Sequence, residues 1–339
     1  MKVLVTGASG LLGSGVARRL AARGDAVTVL QRRPSGLGLR EVLADVADAD
    51  PVRDALAGQE AVVHLAAKVD VFGPEDAYLR ANVLGTRNVV EGCRQAGVRT
   101  LVYVSSPSVA HVGASLVGAG AGPADPGRAR GPYARTKASA ERLALAAGSP
   151  AGGSGLSVVA VRPHLVWGPG DPQLVGRVVA RARAGRLPLV GSGAALMDTT
   201  YVANAVDALV AALDRADRAR GQALVVSNGE PRPVAEILRA ICGAAAAPPP
   251  RLRVPAAVAT TAGAVAEGLW GLADRLRPGR APTEPPLSRF LAEQLSTAHW
   301  FDQRHTREVL DWTPRVSLDE GFTELARWYA SRRPPREGN

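Results

Sequence analysis

The sequence predicts an α/β protein: a doubly wound parallel sheet with a smaller, mixed α/β domain toward the C-terminus. Three observations carry that prediction. Short β-branched runs alternate with amphipathic stretches over the first 165 residues, a glycine-rich turn joins the first run to the first helix, and the alternation loosens afterwards. A length of 339 residues fits about two domains.

In chain order, 3–6, 26–30, 61–66, 100–105 and 156–162 read as strands. They are apolar on both faces, as a sheet wrapped by helices on each side requires. Between them, 11–23, 51–57, 81–96 and 132–147 carry apolar residues at helical spacing. Further on, 175–184, 203–216 and a stretch near 234–242 read as helices, and 222–227 as a strand. The three prolines at 248–250 mark a boundary. Residues 254–276 are weakly charged and rich in Ala, Val and Leu, which suits a buried helix of the smaller domain, with a lid or membrane-touching segment as the alternative. The expected division gives 1–165 with about 196–227 to a cofactor-binding domain and about 166–195 with 228–331 to a substrate-binding domain. Residues 332–339 form a polar tail. No period of 20–50 residues signals a solenoid.

Composition narrows the function classes. Two cysteines, Cys93 and Cys242, exclude a disulfide scaffold and a multi-cysteine zinc site, and fit a reducing compartment. No secretion signal is read at the N-terminus and no uninterrupted apolar run reaches spanning length, so a cytoplasmic protein is expected, with peripheral membrane contact through 254–276 left open. The net charge is +10, yet Lys2, Lys68 and Lys137 are the only lysines. The arginines are scattered and few aromatics interleave them, so a solvated, arginine-biased surface is favoured over nucleic-acid binding. No His, Asp or Glu grouping has metal-ligand spacing, and no Gly-x-Ser-x-Gly elbow supports a hydrolase.

The turn reads Thr6-Gly7-Ala8-Ser9-Gly10-Leu11-Leu12-Gly13. Gly7 permits a tight turn, Gly10 lets backbone approach a pyrophosphate, and Gly13 allows close helix–strand packing. In so glycine-rich a chain that spacing arises by accident about 0.4 times, so its weight comes from lying between first strand and first helix. At the end of the second strand, Gln31-Arg32-Arg33 offers no acid for an adenosine ribose. Two guanidiniums suit a 2′-phosphate, so NADP(H) is expected and NAD(H) is the alternative. Asp45, ahead of Val46, is placed either to accept from the adenine amino group or to cap the next helix.

Tyr133 and Lys137 form an i,i+4 pair on one helix face. With so few tyrosines and lysines, chance supplies this spacing about 0.04 times. The chemistry is specific: an adjacent ammonium lowers a phenol toward working pH. Upstream, Ser105-Ser106-Pro107-Ser108 ends a strand at the carboxyl edge of the sheet, where a serine hydroxyl can bond a substrate carbonyl oxygen. Ser105 also reads as a turn residue and Ser108 as a helix cap.

These residues resemble the extended short-chain dehydrogenases/reductases. The likeness runs from residue 1 to about 330 through Thr-Gly-x-x-Gly-x-x-Gly, His64-Leu65-Ala66-Ala67, Asn82-Val83-Leu84-Gly85-Thr86, the serine pair, Tyr-x-x-x-Lys, and Leu310-Asp311-Trp312-Thr313-Pro314 with Ser317-Leu318-Asp319-Glu320-Gly321. It narrows to the 3β-hydroxysteroid dehydrogenase branch through Arg162-Pro163-His164, Gly168-Pro169-Gly170-Asp171 and Asp198-Thr199-Thr200-Tyr201. Within it, the chain is similar to sterol 4-carboxylate dehydrogenases and closer to bacterial 2-alkyl-3-oxoalkanoate reductases. The resemblance implies Tyr133 as general acid, Ser106 as the serine that polarises the keto oxygen, Lys137 as the tyrosine's partner and ribose ligand, and Asn82 as holder of a relay water. It adds Leu65, Ala66, Ala67, Lys68, Pro163, Leu165 and Val166 to the cofactor site, with Lys68, Ser108, His164 and Tyr201 as substrate candidates. It also implies a homodimer. A packing role is favoured for His164 over a substrate role, and a structural one for His64. One departure is the Gly/Ala-rich stretch 115–131 before Tyr133.

The expected activity is reduction of a β-keto group on a hydrophobic small molecule, with a long-chain 2-alkyl-3-oxo acid favoured. A sterol dehydrogenase, a nucleotide-sugar epimerase or dehydratase, and a non-catalytic nucleotide-binding regulator are the alternatives.

Overall fold

The structure is a computed structural model that describes residues 1–69, 73–110, 113–149, 155–276 and 295–332, the side chains of 267–276 apart. The first half runs β1 (Lys2–Thr6), α1 (Leu11–Ala22), β2 (Ala26–Gln31), β3 (Arg40–Leu43), α2 (Ala49–Leu56), β4 (Ala61–His64) and α3 (Glu75–Tyr78). A π-helical segment (Leu79–Leu84) leads into α4 (Gly85–Ala96), β5 (Thr100–Val104), a 3-10 turn (Pro107–Ala110), β6 (Leu116–Ala119), α5 (Gly131–Ala147) and β7 (Ser157–Pro163). Then come β8 (Val166–Trp167), α6 (Val175–Arg183), β9 (Pro188–Val190), β10 (Leu196–Met197), β11 (Thr200–Tyr201), α7 (Val202–Asp214) and β12 (Ala223–Val226). The chain ends with β13 (Arg232–Pro233), α8 (Val234–Ala244), β14 (Leu252–Val254), α9 (Ala256–Leu276), β15 (His299–Phe301), α10 (Arg304–Leu310) and α11 (Leu318–Ser331).

Seven strands form one parallel sheet in the order β12-β7-β5-β4-β1-β2-β3, so the expected Rossmann-type α/β class holds. Side-chain alternation splits its apolar residues between two layers. Val3, Val5, Val63, Val102 and Val159 pack with α1 and α7, while Leu4, Leu30, Val62, Leu101 and Val158 pack under α2, α4 and α5. β3 escaped the sequence reading because Arg-Glu-Val-Leu at the sheet edge is half-exposed and offers no apolar run.

The smaller lobe holds a four-stranded sheet, β13-β10-β15-β6, and two strand pairs, β11-β8 and β14-β9. Its core centres on Trp167, stacked on Phe322 at 4.4 Å and edge-on to Tyr201 at 5.3 Å. The chain crosses between lobes more often than the expected division allows. Strands 116–119 and 196–197 join the small sheet, and Val309, Leu310 and Trp312 pack into the first core. The reason is local: 116–119 pairs along β15, and α10 presents its apolar face to the α7 side of the large sheet.

Helix α9 departs from the buried-helix reading. Val258 and Val265 are 55% and 56% exposed, while Ala259 packs on Val190. Among the described residues, no helix is long and apolar enough to cross a membrane. Residues 333–339 of the expected tail lie outside the described residues.

Candidate active site

The glycine turn is built by close approach. Gly7 has φ +77°, and a Cβ on it would stand 2.8 Å from the Ala66 nitrogen. A Cβ on Gly13 would stand 2.3 Å from the Gly7 carbonyl oxygen. Gly10 has room, with only that carbonyl within reach at 3.5 Å. It is also the N-cap of α1 and supplies no side-chain cap, so the helix presents bare N–H groups. Ser9 and Gly10 are exposed beside half-buried Leu11 and Leu12, and Leu65, Ala66 and Ala67 follow β4 alongside. A pyrophosphate fits this cradle.

At the end of β2, Gln31 is buried while Arg32 and Arg33 are exposed, and neither arginine makes an ion pair among the described residues. Glu41 on β3 organises the loop. It accepts from the Ser35 N–H at 2.9 Å, the Ser35 hydroxyl at 2.6 Å and the Gln31 amide, and these donors hold its carboxyl below the usual range. Asp45 accepts from the Ala47 N–H at 2.9 Å in a turn, and the N-cap of α2 is Asp48, so Asp45 is not the helix cap. The carbonyl of buried Val46 accepts from Asn88 at 3.0 Å.

Gly131, at φ +81°, and Pro132 start α5, which carries Tyr133 and Lys137 one turn apart. Lys137 is 3% exposed; its ammonium donates to the Val104 carbonyl at 2.6 Å and sits 4.2 Å from the centre of the Tyr103 ring. Burial pulls it down to about 7, and Glu141 opposes that fall. For Tyr133, burial pushes the phenol up, opposed by a hydrogen bond with the Ser106 side chain. The expected lowering of the phenol by its ammonium neighbour is therefore not the dominant effect. Desolvation dominates, and the phenol keeps its proton. Ser106 Oγ lies 3.0 Å from Ser108 Oγ and accepts from the Ser108 N–H at 3.3 Å, so Ser108 orients Ser106.

Asn82 lies in the π-helical segment and is 1% exposed. Its Oδ1 accepts from the Lys68 N–H at 2.7 Å, and its Nδ2 donates to the Lys68 carbonyl and to Thr136 at 3.2 and 3.0 Å. Those partners occupy the side chain expected to hold a water. The Asn82 carbonyl in turn accepts from Thr86, whose hydroxyl is 3.1 Å from His64 Nε2. His64 Nδ1 meets Thr6 Oγ1 at 2.7 Å, and Thr6 accepts from the Ala66 N–H at 3.0 Å. The partners assign the proton to Nε2. Burial and the Lys137 charge hold His64 near 3, so it stays neutral.

The remaining candidates separate. Pro163 ends β7, Leu165 follows with φ +43°, and Val166 opens β8. His164 is 5% exposed and packs edge-on against Phe301 at 5.0 Å. Lys68 lies over the Tyr78 ring at 5.1 Å. Tyr201 is 2% exposed, with its ring on Trp167 and its hydroxyl donated to Glu324. It is a core tyrosine of the smaller lobe and is withdrawn as a substrate contact. Among the described residues no group of His, Cys, Asp and Glu is placed to hold a metal. Sequence reasoning named Thr6, Thr86 and Arg162 only as motif members and gave no role to them, to Thr136 or to Glu141. Glu141 had a readable signal, since it lies one further helical turn beyond Lys137.

A nucleotide cradle at the carboxyl edge of a parallel sheet, with a tyrosine–lysine pair and a serine beside it, defines a nicotinamide-dependent oxidoreductase. Residues 3–227 match the family described as NAD dependent epimerase/dehydratase. The chain belongs to that family, the extended short-chain dehydrogenases/reductases, and is an NAD(P)-dependent oxidoreductase acting on CH–OH groups. It is 42% identical over 334 residues to a 2-alkyl-3-oxoalkanoate reductase of Stenotrophomonas maltophilia, covering 96% of this chain and 98% of that one. It is 31% identical over 327 residues to human sterol-4-alpha-carboxylate 3-dehydrogenase, decarboxylating, covering 94% and 85%. Among solved structures, MoeE5 in complex with UDP-glucose and NAD superposes with TM-score 0.74 at 30% identity, covering 98% and 99%.

Proposed function

We propose that the chain is an NADPH-dependent reductase of a β-keto group on a hydrophobic substrate, favouring 2-alkyl-3-oxoalkanoates. The observation that carries this is α5 setting Tyr133 one helical turn from Lys137, with the Ser106 side chain beside the phenol, which burial pushes up. When bound, the cofactor supplies hydride to the keto carbon. The chain supplies the rest. Ser106, oriented by Ser108, donates to the keto oxygen as negative charge gathers there, and Tyr133 gives that oxygen its proton. Lys137 holds the nicotinamide ribose and supports the phenolate left behind. Asn82 fixes the loop at Lys68 against α5 through Thr136. Arg32 and Arg33, exposed and without ion pairs among the described residues, support a 2′-phosphate and hence NADP(H).

Support for an apolar substrate comes from the strap 113–124, which has no charged side chain, and from 256–266 of α9, which carries none either and leaves Val258 and Val265 about half-exposed. A diphosphate sugar needs cationic and polar partners that this strap lacks. The sterol reading draws on the human relative and shares the same chemistry. A cytoplasmic homodimer, touching lipid through α9, completes the proposal; sedimentation and vesicle flotation test those two parts. The reaction is tested by NADPH oxidation with 3-oxoacyl, 3-ketosteroid and UDP-sugar substrates. Turnover is expected with 2-alkyl-3-oxo acids, and UDP-sugar conversion without net NADPH consumption overturns the reading.

A further inference from the structure

Arg162 on β7 and Glu141 on α5 are charged residues with side chains only 0% and 1% exposed, and the chemistry above uses neither. Arg162 Nε donates to Glu141 Oε2 at 2.8 Å and Nη2 to Oε1 at 2.5 Å, a two-pronged ion pair. The third nitrogen, Nη1, donates to the carbonyls of Ala121 and, at 3.1 Å, Gly122. One guanidinium thus joins three parts: the helix of Tyr133 and Lys137, the strand that delivers Pro163 and His164, and the strap ahead of α5.

Two features raise this above ordinary packing. Tyr133, Lys137 and Glu141 recur at four-residue spacing, so a fork gripping Glu141 fixes the rotation of the face that carries the other two. The strap is rich in glycine and alanine; among the described residues it is otherwise held by pairing with β15, by Ala124 against the small core of Val109, Ala129, Ala134 and Ala138, and just beyond it by the Asp125 N–H bonded to the Val109 carbonyl at 3.0 Å. A buried ion pair is costly to desolvate, and apolar residues of equal volume hold a core as well. What apolar residues do not supply is direction.

We propose that Arg162 and Glu141 are positioning residues of the reductase site: the pair sets the aim of Tyr133 and Lys137, and the same guanidinium pins the strap across the mouth. The inference rests on the reductase reading above. The Lys137 ammonium bonds the Val104 carbonyl and faces the Tyr103 ring on β5; the charge of Glu141 on its own helix acts on it, and its own charge acts on His64 on β4, with Arg162 behind Glu141. Glu141 favours the protonated amine, against the effect of burial.

The test is the double variant Arg162→Met/Glu141→Leu, which fills the space without leaving a lone buried charge. It is expected to melt cooperatively and bind NADPH like the parent, while kcat falls about a hundredfold and the amides of 114–124 exchange faster. The Lys137 amine, followed by carbon NMR, titrates lower than in the parent. A folded double variant with parental kcat, Lys137 titration and strap exchange overturns the proposal. Should the double variant fail to fold, Arg162→Lys keeps the charge and loses the fork. A lowered kcat with faster strap exchange then supports the proposal, and parental values for both overturn it. If the parent shows no reductase activity that Tyr133→Phe removes, the functional reading fails instead. The clamp is then decided by strap exchange and the Lys137 titration, neither of which needs turnover.

Discussion

In the large lobe, one connected hydrogen-bond series runs from the Ala66 N–H beside the glycine turn to α5, through Thr6, His64, Thr86, Asn82 and Thr136. In the smaller lobe, the buried carboxylate Asp198 bonds Ser227, while α9 leaves Val258 and Val265 about half-exposed. The difference is one of tolerance. The large lobe must hold reacting groups to a fraction of an ångström, so the donors of this series are spent on aim. Along α9 the smaller lobe shapes a surface, and a smooth apolar surface needs few directed bonds; its interior still uses them, with Asn204 and Asn228 both donating to the Val316 carbonyl.

The contrast breaks first, and hardest, at Tyr133. Tyr133→Phe should lower turnover by about a thousandfold while fluorescence titration shows NADPH binding intact. Gly13→Ala, which drives a methyl against the Gly7 carbonyl, should cost about 3 kcal/mol in urea unfolding and impair nucleotide binding. Replacing Arg32 and Arg33 together by Ala should weaken NADPH by about tenfold and leave NADH unchanged in steady-state kinetics. On the smaller lobe, Val258→Ser and Val265→Ser should each shift unfolding by about 0.5 kcal/mol or less, because both side chains already meet solvent.

The two lobes also titrate in opposite senses. Asp198 is pushed up to about 6 by burial, so the native state holds its proton after the unfolded chain has released it. Its contribution to stability falls as pH rises from about 4 to about 6. Lys137 is pulled down to about 7, so the unfolded chain holds the proton longer, and stability rises with pH from about 7 toward the ordinary lysine range. Urea unfolding across pH should lose the first slope in Asp198→Asn and the second in Lys137→Met.

The large lobe was legible because its signals are local. Strand and helix alternate, Gly7 and Gly13 stand where a Cβ collides, and Tyr133 and Lys137 sit one turn apart. What went unread depends on contacts far apart in sequence. Glu141 meets Arg162 across 21 residues, and Trp312 reaches a core begun at Val3. Tyr201 misled because an aromatic residue near a motif looks like a ligand until its hydroxyl is seen donating to Glu324, 123 positions away. The fate of 254–276 could not be read from periodicity either, since alanine serves a buried face and an exposed one equally well.

The crossing of the chain between lobes bears on synthesis. A nascent polypeptide that has emerged only to residue 165 lacks β12, which edges β7, and also α7 and the 309–312 segment that roof one face of the sheet. Folding of the first lobe as a finished unit ahead of the rest is therefore ruled out by topology, and the apolar face waits for residues 309–312. Grafting a foreign specificity lobe onto this scaffold accordingly requires several splice junctions and retention of 304–312, rather than a single cut after the catalytic helix.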